Sequence, residues 1–124
     1  MKHLHSFDEL RQINRKIVYA LGTFDGVHRG HQRVIGNAIG EAKAYDAVTV
    51  LVTFSAHPMT ILRPGDVPKR VLSADIMDEI LESLKVDYIL RLPMNLDIFN
   101  MSPDEFLDAL CGDIDVVGIA IGTN

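Results

Sequence analysis

Two histidines beside a glycine-bearing turn are the residues of this chain best placed to do chemistry. His28 and His31 stand three positions apart in the segment GTFDGVHRGH, which covers residues 22–31. At that spacing near the start of a helix, both imidazoles lie on one helix face and can donate hydrogen bonds to the same group. Phosphate oxygens suit such donors, because they carry negative charge that the imidazole N–H groups can stabilise. The pair therefore predicts phosphate chemistry, with His28 and His31 as its catalytic residues.

The backbone around the two histidines points to the same kind of ligand. The apolar run Ile17–Leu21 comes directly before residues 22–31 and indicates a buried strand, with a turn and then a helix to follow. Backbone N–H groups at a strand-to-helix turn, together with the N-terminus of the helix, form an anion site. The sequence therefore predicts a phosphate site at this turn.

Other interpretations of these residues remain open. A His-x-x-His pair on a helix can bind zinc, but two imidazoles need a further ligand, and His57 is the only other histidine beyond the N-terminal tail. Two histidines at this spacing can also be surface residues without a role. Asp25 either holds the turn through its side chain or contacts Mg²⁺ or a ligand.

Strands and helices alternate along the rest of the chain. This alternation predicts an α/β fold, a Rossmann-like parallel sheet with flanking helices, whose ligands bind beyond the carboxyl ends of the strands. In the second helix we expect Gly36 and Gly40 to permit close packing against the sheet. The predicted strands cover residues 17–21, 48–54, 88–92 and 115–121, and the predicted helices cover a short stretch to Gln12 capped by Ser6 or Asp8, residues 27–45, residues 73–85, and Ser102 to near Gly112. A loop is expected over residues 93–101, and a long functional loop over residues 55–70.

Length and composition favour one compact domain over residues 1–124. The chain is 48% hydrophobic and 23% charged, which is typical of a globular protein, and no apolar run reaches the length of a membrane span. Cys111 is the single cysteine, so we expect no internal disulfide and a cytoplasmic location. Residues 1–70 have a net charge of +4 and residues 71–124 one of −9. The acidic second half argues against a nucleic-acid partner, and solvated helix faces would also explain the asymmetry.

Four ordered segments resemble one known family. GTFDGVHRGH is similar to the GxFDGxHxGH signature of prokaryotic FAD synthetases, the bifunctional riboflavin kinase/FMN adenylyltransferases, whose N-terminal domain belongs to the HxGH nucleotidyltransferase superfamily. Residues 52–64 (VTFSAHPMTILRP) resemble the family's VTFxPHPxxxLxP. Residues 81–95 (LESLKVDYILRLPMN) resemble its LxxLGVDxxxxLPFN, and residues 101–107 (MSPDEFL) resemble its LSPExF. We therefore expect adenylyl transfer from ATP to FMN, with Mg²⁺ as cofactor.

The resemblance implies two groups of binding residues. The residues expected to bind ATP are Gly22, Thr23, Phe24, Asp25 and Gly30. The residues expected to bind the flavin are His57, Pro58, Arg63 and Asn95. For His57 a structural role is an equal alternative, and Arg63 can instead be a solvated loop residue. No resident metal ligand is expected among them.

The resemblance also has departures. Ser55 and Ala56 stand where the family usually has Asp-Pro, and no later Ser/Thr-rich segment or riboflavin kinase domain is found. We therefore expect a truncated nucleotidyltransferase domain without a kinase domain. The alternatives are a non-catalytic nucleotide- or flavin-binding fragment and a related nucleotidyltransferase that uses another phosphate acceptor.

Overall fold

A computed structural model of the chain describes residues 1–22, 29–54 and 74–121. Their elements alternate as the sequence predicts. The strands are β1 (Lys2–Leu4), β2 (Ile17–Leu21), β3 (Val48–Phe54), β4 (Tyr88–Leu92) and β5 (Val116–Ile121). The helices are α1 (Phe7–Arg11), α2 (Arg29–Ala44), α3 (Ala74–Ser83), α4 (Leu96–Phe99) and α5 (Pro103–Cys111).

The described strands form one parallel sheet in the order β1-β4-β3-β2-β5. The chain runs outward from β2 through β3 to β4, and then returns to the opposite side of β2 with β5. The switch point of the sheet therefore lies between β2 and β5. In open parallel sheets, ligands bind in the crevice beyond the carboxyl ends of the strands at this point.

Each face of the sheet has its own apolar core. On one face, Val18, Ala20 and Leu51 pack with residues of α2 and with Leu81 of α3. On the other, Tyr19 and Val50 belong to a cluster that includes Leu10 of α1 and Leu110 of α5. β2 and β3 are almost fully buried, because helices cover both of their faces. This burial fixes the position of the strand that leads into residues 22–31.

Local signals place most of the helices correctly. Ser6 is the N-cap position of α1, although its side chain makes no capping hydrogen bond. At α5 the Ser102 hydroxyl accepts from the Glu105 N–H, and the Glu105 carboxylate accepts from the Ser102 N–H, both at 3.1 Å. This second bond keeps the pKa of Glu105 below its usual range. The predicted cap of α3, Ser73, lies outside the described residues.

Three features differ from the sequence-based expectation. β1 was not predicted, and it is a strand because it pairs with β4. α4 is a short helix within the predicted loop over residues 93–101. The expectation for Gly36 and Gly40 is wrong: both lie on the exposed face of α2, and a Cβ atom at either position would meet no atom within 4 Å.

Candidate functional site

The segment with the predicted phosphate chemistry, residues 22–31, starts at the switch point. Gly22 follows the last residue of β2, and its N–H donates to the carbonyl of Val52 in β3 at 3.2 Å. The ladder between β2 and β3 thus extends one residue into the segment of residues 22–31. Leu21 pairs with Ile121 on the other side, so this segment leaves the sheet between two hydrogen-bonded neighbours.

The same segment ends in the first turn of α2. The helix begins at Arg29, so Gly30 and His31 belong to the first turn, whose N–H groups have no acceptor within the helix. No acidic residue lies in this turn. The positive end of the helix dipole therefore lies at the carboxyl edge of the sheet, and the first turn itself contributes no carboxylate that would oppose an anion. This arrangement suits a phosphate group.

Most of the predicted site residues lie outside the described part of the chain. The structure describes the backbone of Gly22, Gly30 and His31 and places all three at the carboxyl edge, on either side of residues 23–28. The roles of these three residues and of the other predicted site residues stay predictions. The predicted residues outside the described ranges are Thr23, Phe24, Asp25, His28, His57, Pro58 and Arg63.

Asn95, which is predicted to contact the flavin, also has a structural role. It is the N-cap of α4, and its Oδ1 accepts a hydrogen bond from the Ile98 N–H at 3.0 Å. The residue is exposed and lies three positions after β4, at the carboxyl edge. Asparagine is a preferred N-cap residue, so this signal was present in the sequence. The flavin contact stays a prediction.

The structure contains a charged pair near the carboxyl edge that the sequence did not predict. Arg91, the penultimate residue of β4, donates from Nη2 to Oδ1 of Asp78 in α3 at 2.8 Å. The two side chains are only 17% and 22% exposed. One signal for this pair was visible, since Arg91 is the only charge in the apolar run Tyr88–Leu92.

A motif residue of the resemblance also proves to be structural. Asp87, in the segment similar to LxxLGVDxxxxLPFN, lies before β4 at the amino edge of the sheet. Its Oδ2 accepts from the Thr49 N–H at 2.9 Å, and its own N–H donates to the Thr49 carbonyl. Asp87 therefore joins β4 to β3 at the edge opposite the candidate site.

A cavity of about 370 Å³ opens at the amino edge as well. Its lining includes Arg15, Lys16, Asp113 and Asp115, so charges of both signs surround it. It lies near the start of β2, whereas the predicted phosphate site follows the end of that strand. The cavity is therefore separate from the candidate site.

The described ranges bear on metal ligands and on membrane spans. Within residues 1–22, 29–54 and 74–121, no three His, Cys, Asp or Glu side chains are grouped so that they could hold a metal ion. His28 and His57 lie outside these ranges, so the zinc alternative is untested. Across the same ranges, no helix is both long and apolar enough to cross a bilayer.

Comparison with known proteins identifies the family. The family model described as FAD synthetase matches residues 10–124. The bifunctional riboflavin kinase/FMN adenylyltransferase of Buchnera aphidicola (subspecies Schizaphis graminum) is 30% identical over 98% of this chain and 39% of its own length. Its Bacillus subtilis counterpart is 33% identical over 84% of this chain and 33% of its own length. An FAD synthetase of Listeria monocytogenes is 25% identical over 89% of this chain and 45% of its own length.

A solved structure supports the fold. The crystal structure described as a macrolide-efflux protein from Streptococcus pneumoniae matches 96% of this chain and 40% of its own, with a TM-score of 0.84 and 21% identity. At that identity the match bears on the fold alone. The chain spans less than half the length of each of these proteins. The family match over residues 10–124 agrees with the order of the four sequence segments and with the start of residues 22–31 at the switch point. This chain therefore belongs to the FAD synthetase family.

Proposed function

We propose that this chain is an FMN adenylyltransferase module, which transfers AMP from ATP to FMN and gives FAD and pyrophosphate. The observation that carries the proposal is the position of GTFDGVHRGH. In a chain of the FAD synthetase family, this segment runs from the end of β2 at the switch point to the first turn of α2. An anion-binding helix terminus thus lies where parallel sheets bind nucleotides.

The reaction needs positioning more than covalent chemistry. A phosphate oxygen of FMN forms a bond to the α-phosphorus of ATP, and the bond from that phosphorus to the bridging oxygen of pyrophosphate breaks. In this proposal the backbone from Gly22 to Asp25 and the first turn of α2 bind the triphosphate, and Gly30 leaves room for the nucleotide. His28 and His31 donate hydrogen bonds to the phosphate oxygens on which charge accumulates.

Mg²⁺ fits the proposal as a partner of ATP. This ion prefers oxygen ligands, keeps several waters, and is commonly held by substrate phosphates with one or two carboxylates. The first turn of α2 offers N–H donors and no carboxylate, so it suits the phosphates rather than the ion. Asp25 is the carboxylate of the segment that would contact the ion, which would neutralise charge on the phosphates.

The flavin belongs, in this proposal, beside the ends of β3 and β4. His57, Pro58 and Arg63 follow β3 in sequence, and Asn95 follows β4. The two strands are paired through Phe54 and Leu92, so their carboxyl ends are neighbours. β3 and β4 lie on the side of β2 away from β5. In this proposal ATP binds at the switch point between β2 and β5, and the flavin binds next to it.

Product analysis tests the proposal. The chain is incubated with ATP, FMN and Mg²⁺, and the flavins are separated; we expect FAD and pyrophosphate in equal amounts. Phosphopantetheine and a nucleoside monophosphate serve as competing acceptors under the same conditions. Transfer to one of these instead of FMN would identify a related nucleotidyltransferase. Binding of ATP or FMN by calorimetry without any product would identify a binding module and overturn the proposal.

The proposal includes a cytoplasmic location. It is supported by Cys111, a free thiol that is half-buried in the core around α5. Burial, with a smaller contribution from Asp108, raises the pKa of this thiol. Cys111 is the single cysteine of the sequence, and a cysteine without an internal disulfide partner suits a reducing compartment. Fractionation of the producing cells checks the location, and recovery of the chain outside the cytoplasm would contradict it.

A further inference from the structure

One carboxylate connects three elements on the face of the sheet that α2 and α3 cover. Asp78 of α3 accepts from Arg91 of β4 through Oδ1 at 2.8 Å. Its other oxygen, Oδ2, lies 3.8 Å from Nε2 of His3 in β1. Arg91 and Asp78 are mostly buried, whereas His3 is 41% exposed.

The pair occupies a place where apolar side chains would serve stability equally well. Arg91 lies two positions after Ile89, which is fully buried on the same face, and it pairs in register with Thr53 of β3. Moving two charges out of water costs about as much free energy as their attraction contributes. A mostly buried ion pair therefore adds little to the free energy of unfolding compared with well-packed apolar residues. Such a pair does fix geometry, because its hydrogen bond has a defined length and direction.

The Asp78–Arg91 pair lies close to the candidate site. α3 follows β3 and returns to the amino edge before β4, so the helix begins at the carboxyl edge of the sheet. Asp78 lies about one turn after Ala74, the first residue of α3. Phe54, at the end of β3, is held by its pairing with Leu92. The Asp78–Arg91 bond therefore holds the start of α3 beside the strand ends at which the flavin is proposed to bind.

We propose that Asp78 and Arg91 are positioning residues for the flavin: their bond sets the distance between the start of α3 and the ends of β3 and β4 that FMN binding requires. This inference rests on the proposed function, since FMN is the acceptor there. Neither residue touches the reacting atoms. The pair acts on acceptor affinity and leaves the chemical step unchanged.

The test compares carboxylates at the two edges of the sheet. FMN affinity of the full chain is measured by flavin fluorescence for Asp78→Ala, for Arg91→Met and for the exchange variant that combines Asp78→Arg with Arg91→Asp. We expect each single variant to bind FMN at least ~10-fold more weakly, and the exchange variant to return to within ~3-fold of the parent. KM for FMN should rise in the single variants, with kcat at saturating FMN changed by less than ~2-fold.

Asp87→Ala is the matched control. It also removes a carboxylate that joins two elements, here β4 to β3 at the amino edge. We expect Asp87→Ala to bind FMN within ~2-fold of the parent. This should hold even if Asp87→Ala lowers the unfolding midpoint as much as Asp78→Ala does. An equal loss of affinity in Asp87→Ala, or full affinity in both single variants, overturns the inference.

A second measurement needs no flavin. Lys69 and Arg70 are trypsin sites in the sequence that leads to α3. We expect cleavage there to be at least ~5-fold faster in Asp78→Ala than in the parent or in Asp87→Ala, under conditions in which all three are folded. If the parent does not bind FMN, the proposed function fails, and the cleavage rates still decide whether the pair holds the start of α3. Equal rates in the three proteins would refute that role.

Discussion

At the amino edge of the sheet, three to five residues join a helix to the strand that follows it. At the carboxyl edge, β2 and β3 end where the longer segments of residues 22–28 and 55–73 begin. Each of four amino-edge connections contains a residue with left-handed backbone, and these are Asn14, Asp46, Lys85 and Asp113, with φ between 53° and 68°. The residues with predicted chemistry follow the carboxyl ends of the strands. The amino edge is therefore closed by short connections, whereas the proposed ligand site lies at the carboxyl edge. Changes at the amino edge should therefore alter stability, and changes at the carboxyl edge should alter turnover.

The largest expected effect is at the carboxyl edge. His28→Ala and His31→Ala should each lower the rate of FAD formation by about 10²–10³-fold, because each removes a donor to the charge that develops on phosphate. Unfolding midpoints should stay near that of the parent. His5→Ala is the control, since His5 is an exposed histidine of the N-terminal segment. Full activity in both His28→Ala and His31→Ala would remove these histidines from the chemistry.

Tyr19→Phe tests the apolar core on the face of the sheet that α1 and α5 cover. The buried Tyr19 hydroxyl donates to the carbonyl of Leu110 near the end of α5, and the pKa of Tyr19 is raised by burial, which keeps the hydroxyl protonated. Loss of the donor should lower the free energy of unfolding by about 1–3 kcal/mol. Affinity for ATP and FMN should not change in the folded variant. Tyr45→Phe, at a tyrosine that is 53% exposed, should leave stability unchanged. Denaturant titration measures both.

The helix between the two edges should accept substitutions that stabilise it. Gly36→Ala and Gly40→Ala should each raise the free energy of unfolding by about 0.5–1 kcal/mol, because alanine costs less backbone entropy in a helix and the added methyl meets open space. The double variant should approach the sum of the two. A loss of stability in either single variant would contradict the exposed position of Gly36 and Gly40 on α2.

An effect as small as that of either single glycine variant is expected at an amino-edge turn. Lys85 has φ of 68°, and the related family segment has glycine at this position. Lys85→Gly should raise the free energy of unfolding by about 0.5–1 kcal/mol, because glycine tolerates left-handed backbone and this outweighs its greater freedom in the unfolded chain. Asn14→Gly should give a smaller gain, since asparagine also tolerates this conformation. A loss of stability in Lys85→Gly would contradict this account of the turn.

Strong local patterns predicted most of the fold. The runs Ile17–Leu21 and Val48–Phe54 are apolar without alternation, and such runs form strands that helices cover on both faces. β1 escaped prediction because Lys2–Leu4 has one buried apolar side chain, and its conformation depends on β4, more than 80 residues later. The outward direction of Gly36 and Gly40 depends on the rotation of α2, which glycine spacing alone does not determine.

The candidate site was predicted less completely than the fold. The strand before Gly22 and the helix through His31 predicted the edge at which the site lies, and the structure confirms both elements. Arg91 had a sequence signal as the single charge of an apolar run, but its partner Asp78 could not be predicted, because the contact depends on the rotation of α3 over the sheet. Asn95 had two signals, a family position and a preference for helix N-caps, and its predicted role rested on the first alone.

The pairing of distant strands governs when this chain can fold. β2 meets β5 through Ile17 and Val116, and β1 meets β4 through Lys2 and Tyr88. Contacts of such long sequence separation form slowly, because loop closure precedes any gain from burial. During synthesis, the apolar strand β2 therefore waits for nearly a hundred further residues before its second neighbour exists. We expect nascent chains to remain dependent on chaperones until β5 has left the ribosome.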